Sequence, residues 1–120
     1  MSLSLFRYIV AIDQHQQNGV IDISIRDWKC TDCSYCDDEI KVIRYEIEYV
    51  FDTKIQIMYT IEYDDCVSDV NVCPECWIHY QVTVDPLHTI KPAKKSFYNR
   101  CQQQYWLKTM AMNRSDNIHH

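Results

Sequence analysis

The sequence predicts one small domain of the mainly β (α+β) class, with an antiparallel sheet, a long β-hairpin, paired cysteine turns and one C-terminal helix. Three observations predict this fold. The chain has 120 residues with a single Gly, which is long enough to bury roughly two-thirds of its unfolded surface in one core. Apolar and polar residues alternate over positions 43–63. Six of the seven cysteines fall into two groups, one on each side of that stretch.

Composition and charge narrow the class of protein further. With 47% apolar and 24% charged residues, the chain matches a soluble globular domain. No apolar run approaches the roughly 18 residues that span a bilayer, so we expect no membrane association. Residues 1–87 carry six basic and 16 acidic side chains, net −10, whereas residues 88–120 carry six basic and one acidic, net +5. We therefore divide the chain into an acidic zinc-binding β domain, 1–87, and a basic aromatic C-terminal segment, 88–120, packed on it or exposed.

Two strands are expected at the start of the chain. The first is the apolar run at 5–12, and the second is the stretch 20–28, where isoleucines alternate with polar residues. Between them lies Asn18-Gly19, a dipeptide that favours turns.

The strongest local pattern is the hairpin at 43–63. Pairing Phe51 with Ile55 brings apolar side chains opposite each other along the whole inner face, and it places Arg44 opposite Glu62 on the other face. A slip of one residue would oppose apolar to polar residues throughout, so the register is well specified.

Two further elements follow. The stretch 77–84 is expected to be a strand. The stretch 92–112 is expected to be a helix, with Pro92 in its first turn and Phe97, Cys101 and Tyr105 spaced by four.

The two cysteine groups predict a structural zinc ion. Pairs of thiolates two residues apart in tight turns can hold Zn²⁺ tetrahedrally, and the hairpin would bring the two groups together at its open end. The preferred ligands are Cys30, Cys33, Cys73 and Cys76, with Cys36 and Cys66 as alternates. The alternatives are a pairing of Cys33 with Cys36, a two-ion cluster of six cysteines, redox or disulfide cysteines, and cysteines that act as small buried apolar residues.

Paired cysteine turns that bracket β-strands resemble those of zinc ribbons. The resemblance covers the two turns only, and it implies a zinc-bound β scaffold.

The sequence indicates a protein that is not an enzyme and has no small-molecule substrate. It lacks the His-Glu-x-x-His motif of zinc proteases and the cysteine and histidine pattern of zinc deaminases. With a single Gly, it also lacks a glycine-rich phosphate-binding loop. His79, three residues after Cys76, is interpreted as a strand histidine.

Two binding functions compete. The first is a protein-interaction or structural role with self-association, through charge pairing between copies or through the exposed edges of the hairpin. The second is single-stranded nucleic-acid binding of a regulatory or transcription-related kind, since cations interleaved with aromatic rings suit phosphates and bases. The residues predicted to contact nucleic acid or a partner are Lys91, Lys94, Lys95, Tyr98, Arg100, Trp106 and Lys108.

The cysteines also bear on location and origin. An intracellular location in the cytoplasm, the nucleus or a virus particle is expected, because reduced thiols favour metal binding over disulfides. Compact zinc scaffolds occur among small cysteine-rich viral proteins, and the Ile, Tyr and Asn bias suits an AT-rich coding sequence, so a viral origin is one hypothesis.

Overall fold

The computed structural model describes residues 3–19, 23–64 and 75–118, and over these it is a mainly antiparallel β structure with two helices. The elements in chain order are β1 (Leu3–Ser4), α1 (Leu5–Gln16), β2 (Ile25–Asp32), β3 (Tyr35–Asp37), β4 (Ile40–Phe51), β5 (Gln56–Asp64), β6 (Glu75–Val84), β7 (Ile90–Lys91), β8 (Lys94–Asn99) and α2 (Arg100–Ile118). The predicted mainly β class is confirmed.

The main sheet has the strand order β2-β4-β5-β6-β8, and the short β3 also pairs with β4. Strands β2 and β3 therefore lie end to end along one edge of β4. The junction between them is held at Arg44, whose carbonyl accepts from the Cys33 amide at 2.8 Å and whose amide donates to Ser34 Oγ at 3.0 Å. A second, parallel pair joins β1 to β7.

The predicted hairpin and its register are confirmed. Ile43 pairs with Tyr63 and Tyr49 with Ile57, as the alternation requires. The turn closes where the Phe51 amide donates to the Ile55 carbonyl at 2.9 Å. The sequence has no Gly in this turn, and Lys54 adopts the left-handed conformation instead, with φ of 71°.

The prediction of a strand at 5–12 is wrong, because this segment forms helix α1. Leu5, Tyr8, Ile9 and Ile12 follow a helical spacing of three and four residues, and all four are fully buried. Ser4 caps the helix, since its side chain accepts from the Phe6 amide at 3.2 Å.

Helix α1 covers one face of the main sheet, which we call the inner face. The ring of Tyr8 meets that of Phe51 edge-on at 4.8 Å, and Ile57 and Ile78 belong to the same buried cluster. The opposite face of the sheet, which we call the outer face, carries the alternating polar and exposed residues.

The second predicted strand at 20–28 is confirmed in part. Strand β2 begins at Ile25 and ends at Asp32, later than expected, and residues 20–22 lie outside the described ranges. Because β2 and β6 flank the hairpin, neither of its strands is an edge of the sheet. The predicted route to self-association through hairpin edges is therefore wrong.

The strand predicted at 77–84 is confirmed as β6, but the helix predicted at 92–112 begins too early. Residues Lys94–Asn99 form strand β8, which pairs with β6. Helix α2 starts only at Arg100, and the Asn99 side chain accepts from the Gln102 amide at 2.7 Å, as an N-cap does.

The segment 88–120 is tied to the rest of the fold through β8 and α2. The ring of Trp106 lies 5.7 Å from that of Phe6 in α1 and 5.4 Å from that of Phe97 in β8. The side chain of Gln103 is fully buried and donates to the Tyr80 hydroxyl. These contacts dock the start of α2 on the inner face.

Candidate functional site

The first predicted metal turn is not formed. Cys30 lies within strand β2, and Cys33 directly follows it. Three residues of extended chain span about 10 Å, so the two thiols do not converge as they do in a tight turn. Cys36 lies in β3, so the alternative pair, Cys33 with Cys36, is not in a tight turn either.

The second predicted turn cannot be compared with the structure, because Cys66 and Cys73 lie outside the described residues. Cys76, the fourth preferred ligand, is a free, buried thiol in β6. Within the described parts of the chain, no group of three or more His, Cys, Asp or Glu side chains is placed to hold a metal ion. The zinc-ribbon-like turns thus have no support in the described fold, and structural zinc stays a prediction.

The chemistry of the thiols differs from one to the next. Burial raises the pKa of Cys76, and burial followed by the negative charge of Glu46 raises the pKa of Cys33. Both effects favour the neutral thiol over the thiolate that binds metal. Cys101 is disulfide-bonded, whereas Cys30, Cys33, Cys36 and Cys76 are free.

The predicted basic contact residues do not share one surface. Lys95 lies on the inner face, with its amine 5.4 Å from the Phe97 ring centre and 5.3 Å from that of Trp106. Lys94 and Tyr98, which alternate with Lys95 along β8, lie on the outer face. The other predicted residues are on β7 and α2: Lys91, Arg100, Trp106 and Lys108.

The outer face carries a pocket that sequence reasoning missed. We call it the acidic pocket; it has a volume of about 230 Å³ and is lined by Tyr35, Asp37, Val42, Glu62, Tyr63, Asp64, Glu75 and Trp77. These residues come from four adjacent strands, β3 to β6. Val42 is buried in it, whereas Trp77 and Tyr35 are nearly half exposed.

Aromatic side chains continue from the pocket towards β8. The ring of Trp77 meets that of Tyr98 edge-on at 5.0 Å, and Tyr98 is 56% exposed. Of the residues predicted to bind a partner, Tyr98 therefore lies beside the pocket. Further along the same face, the His79 ring is within hydrogen-bond distance of Ser96, so His79 is a strand residue as predicted.

The charges of the pocket are only partly compensated. Arg44 forms ion pairs with Glu62 at 3.2 Å and Glu46 at 3.1 Å. No Lys or Arg of the described chain forms an ion pair with Asp37, Asp64 or Glu75. The rim is therefore negative.

The pocket also affects the tyrosine at its edge. The Tyr35 hydroxyl donates to Glu62 at 3.4 Å. Burial, followed by the charge of Glu62, raises the pKa of Tyr35. A neutral phenol is thus maintained beside the carboxylates.

No protein-family model, curated protein sequence or solved structure matches the chain. Neither helix in the described ranges has the length and apolar character needed to cross a membrane.

Proposed function

We propose that this protein is a non-enzymatic protein-interaction module that binds a positively charged segment of a partner protein on the outer face of its sheet. The observation that carries the proposal is the juxtaposition of exposed rings, Trp77 and Tyr98, with carboxylates that have no cationic partner among the described residues. Arginine and lysine side chains are complementary to such a surface in two ways, because they form ion pairs with carboxylates and also stack on aromatic faces.

The outer face favours a protein segment over nucleic acid. Phosphates would be repelled by Asp37, Asp64 and Glu75, which line the acidic pocket together with Trp77. The rings that accompany the basic residues on the other face, Phe97 and Trp106, pack against the core and Lys95. Single-stranded nucleic-acid binding through the segment 88–120 stays the alternative prediction.

The direct test measures binding of a synthetic peptide of alternating arginine and glycine, followed by tryptophan fluorescence and calorimetry. We expect saturable binding that weakens as salt increases, because exposed charges are screened. A peptide of alternating glutamate and glycine should not bind.

Variants locate the surface. Trp77→Ser should weaken binding about tenfold, because exposed aromatic anchors contribute disproportionately to interfaces. The matched control is Trp28→Ser: Trp28 is 50% exposed against 48% for Trp77, but it lies on the inner face beside His15. The triple change Asp37→Asn, Asp64→Asn, Glu75→Gln should weaken binding about 3- to 150-fold, because three exposed charge pairs at roughly 0.2–1 kcal/mol each sum to about 0.6–3 kcal/mol.

Two results would count against the proposal. The first is a peptide affinity that Trp77→Ser leaves unchanged and Trp28→Ser lowers. The second is tight, salt-sensitive binding of an oligo-deoxythymidine in place of the basic peptide, which would favour the nucleic-acid alternative.

A further inference from the structure

Strand β2 forms one edge of the main sheet. Among the described strands it pairs with β4 alone, and it stands at the end of the strand order. Every residue from 26 to 32 is exposed to solvent. A strand edge of this kind can accept another strand through main-chain hydrogen bonds.

The backbone of β2 directs half of its hydrogen-bonding groups to this edge. The Trp28 amide donates to the Asp27 carboxylate at 2.8 Å, so it is directed away from β4. Successive residues of an antiparallel strand alternate in this direction, and the groups of Cys30 therefore point outward with those of Trp28. The Cys33 amide points the other way, to the Arg44 carbonyl of β4 at 2.8 Å, as the alternation requires.

The side chains of β2 alternate between the two faces of the sheet. The Trp28 ring meets that of His15 in α1 at 5.2 Å, so it lies on the inner face. Asp27 and Lys29, the neighbours of Trp28 in the strand, therefore lie on the outer face. One negative and one positive side chain are thus placed on the same face, on either side of Trp28.

This pattern is complementary to itself. When two copies of β2 pair antiparallel about a twofold axis at Trp28, Asp27 of each copy lies opposite Lys29 of the other, and the ion pair forms twice. An axis at Asp27 or at Lys29 would instead oppose two like charges. Strand β8, at the other edge of the sheet, carries only the positive charges of Lys94 and Lys95, and two copies of it would repel each other.

We propose that β2 is a dimerisation edge, at which two copies of the chain pair antiparallel about Trp28 and join their main sheets. The outward amide and carbonyl of Trp28 pair with those of the second copy. The Asp27 carboxylate leaves the Trp28 amide and forms an ion pair with Lys29 of the second copy. Of the described residues, none from β2 lines the acidic pocket, so this inference goes beyond the proposed peptide-binding function.

The test is sedimentation equilibrium of the full chain over a range of concentrations at low salt. We expect the mass of two chains at high concentration and of one chain on dilution. Asp27→Lys should weaken the dimer about 4- to 600-fold, because two attractive charge pairs become two repulsive ones and each effect is worth about 1.4- to 5-fold. Asp64→Lys is the matched control, since it makes the same change of charge on β5, and it should leave the dimer unchanged.

A mixture of two variants gives the sharper readout. Lys29→Asp alone should also weaken the dimer, because it opposes two carboxylates twice. An equimolar mixture of Asp27→Lys and Lys29→Asp should form mixed dimers of about the parental affinity, since each copy then presents the charges that the other lacks. Asp27→Asn keeps an acceptor for the Trp28 amide and protects the test against misfolding of the reversed-charge variants. It should weaken the dimer about 2- to 25-fold, because two charge pairs are lost.

The free thiol of Cys30 reports the register. With the axis at Trp28, the two copies of Cys30 lie four residues apart along the paired strands, or about 14 Å. A disulfide requires Cα atoms within about 7 Å of each other. A cross-link between Cys30 of two copies, found by peptide mass mapping after mild oxidation, would therefore overturn the inference.

Three further results would also overturn it: a mass of one chain up to about 1 mM, a dimer that both reversed-charge variants leave intact, or a mixture of these variants that forms no mixed dimer. Trp28→Ser should weaken the dimer about tenfold and leave peptide binding unchanged, whereas Trp77→Ser should do the reverse. Failure at this edge is therefore distinguishable from failure of the proposed peptide-binding surface.

Discussion

The hydrogen bond between Gln103 and Tyr80 is the internal contact whose removal gives the sharpest prediction. Both side chains are completely buried, and the Gln103 amide donates to the Tyr80 hydroxyl where α2 docks on the sheet. Gln103→Met keeps the volume of the side chain and removes its hydrogen-bonding groups. The Tyr80 hydroxyl is then left buried without this donor.

We expect Gln103→Met to lower the free energy of unfolding by about 1–3 kcal/mol, the usual cost of an unsatisfied buried polar group. Tyr80→Phe should cost a similar amount, because it leaves the buried amide with Arg100 as its remaining partner. The double variant should cost less than the sum by roughly 1 kcal/mol, since both single changes break the same bond.

The assay is urea denaturation followed by tryptophan fluorescence and circular dichroism, with Gln104→Met on the same helix as the matched control. Gln104 is exposed, so its substitution should change stability by less than about 0.5 kcal/mol. Single costs that add to within about 0.3 kcal/mol would refute the reasoning. So would a Gln103→Met variant as stable as Gln104→Met.

Three other predictions concern the whole fold. Burial raises the pKa of Tyr80, Tyr59 and Tyr49 above the ordinary value of 10.0, so the contribution of these phenols to stability should be fully present below pH 10.0 and be lost above it, where the unfolded chain ionises first; absorbance at alkaline pH should show them ionising at higher pH in the folded chain than in the unfolded chain. The disulfide at Cys101 should make a reducing agent lower the unfolding free energy by about 2–4 kcal/mol, and a non-reduced intact mass with every thiol free to alkylate would contradict it. The predicted zinc implies about one ion per chain and unfolding by chelators; metal analysis of protein prepared under reducing conditions that finds well below half an ion per chain, with folding intact after chelation, would refute it.

The hairpin could be predicted because the pattern that specifies it lies within two strands that are adjacent in the sequence. Each strand alternates over its length, and a single pairing of Phe51 with Ile55 fixes every other pair down to Arg44 with Glu62. The resulting ion pair, at 3.2 Å, follows from register alone.

The predictions of a strand at 5–12 and of a helix from residue 92 are wrong, although the sequence carries a signal for the observed structure at each place. A short apolar run is compatible with strand or helix, and at 5–12 the cap at Ser4 decides for the helix. At 92–112 the spacing of Phe97, Cys101 and Tyr105 crosses a strand–helix boundary. The signal for that boundary is Asn99 with Gln102 three residues later, the pattern of a capped helix start.

The acidic pocket could not be predicted, because it is assembled by the order of strands in the sheet. Tyr35 and Trp77 are far apart in the chain and line the same pocket because β4 and β5 lie between β3 and β6. Alternation specifies which face a residue occupies, but it does not specify which strands are neighbours.

The end-to-end arrangement of β2 and β3 on β4 implies that binding affinity can be adjusted from a distance. Strand β3 has three residues and returns to β4 through Asp38 and Glu39, both with positive φ, 46° and 70°. So short an edge strand is expected to open locally at a small free-energy cost. Because it carries Tyr35 and Asp37, the partner segment proposed for the acidic pocket would hold it closed. Binding in the acidic pocket and closure of β3 are then thermodynamically linked. A residue better suited to positive φ at position 38 or 39, such as Asn or Gly, would stabilise the closed strand. It would therefore tighten binding without contacting the partner. Amide hydrogen exchange at residues 35–37 would slow in proportion to the gain in affinity.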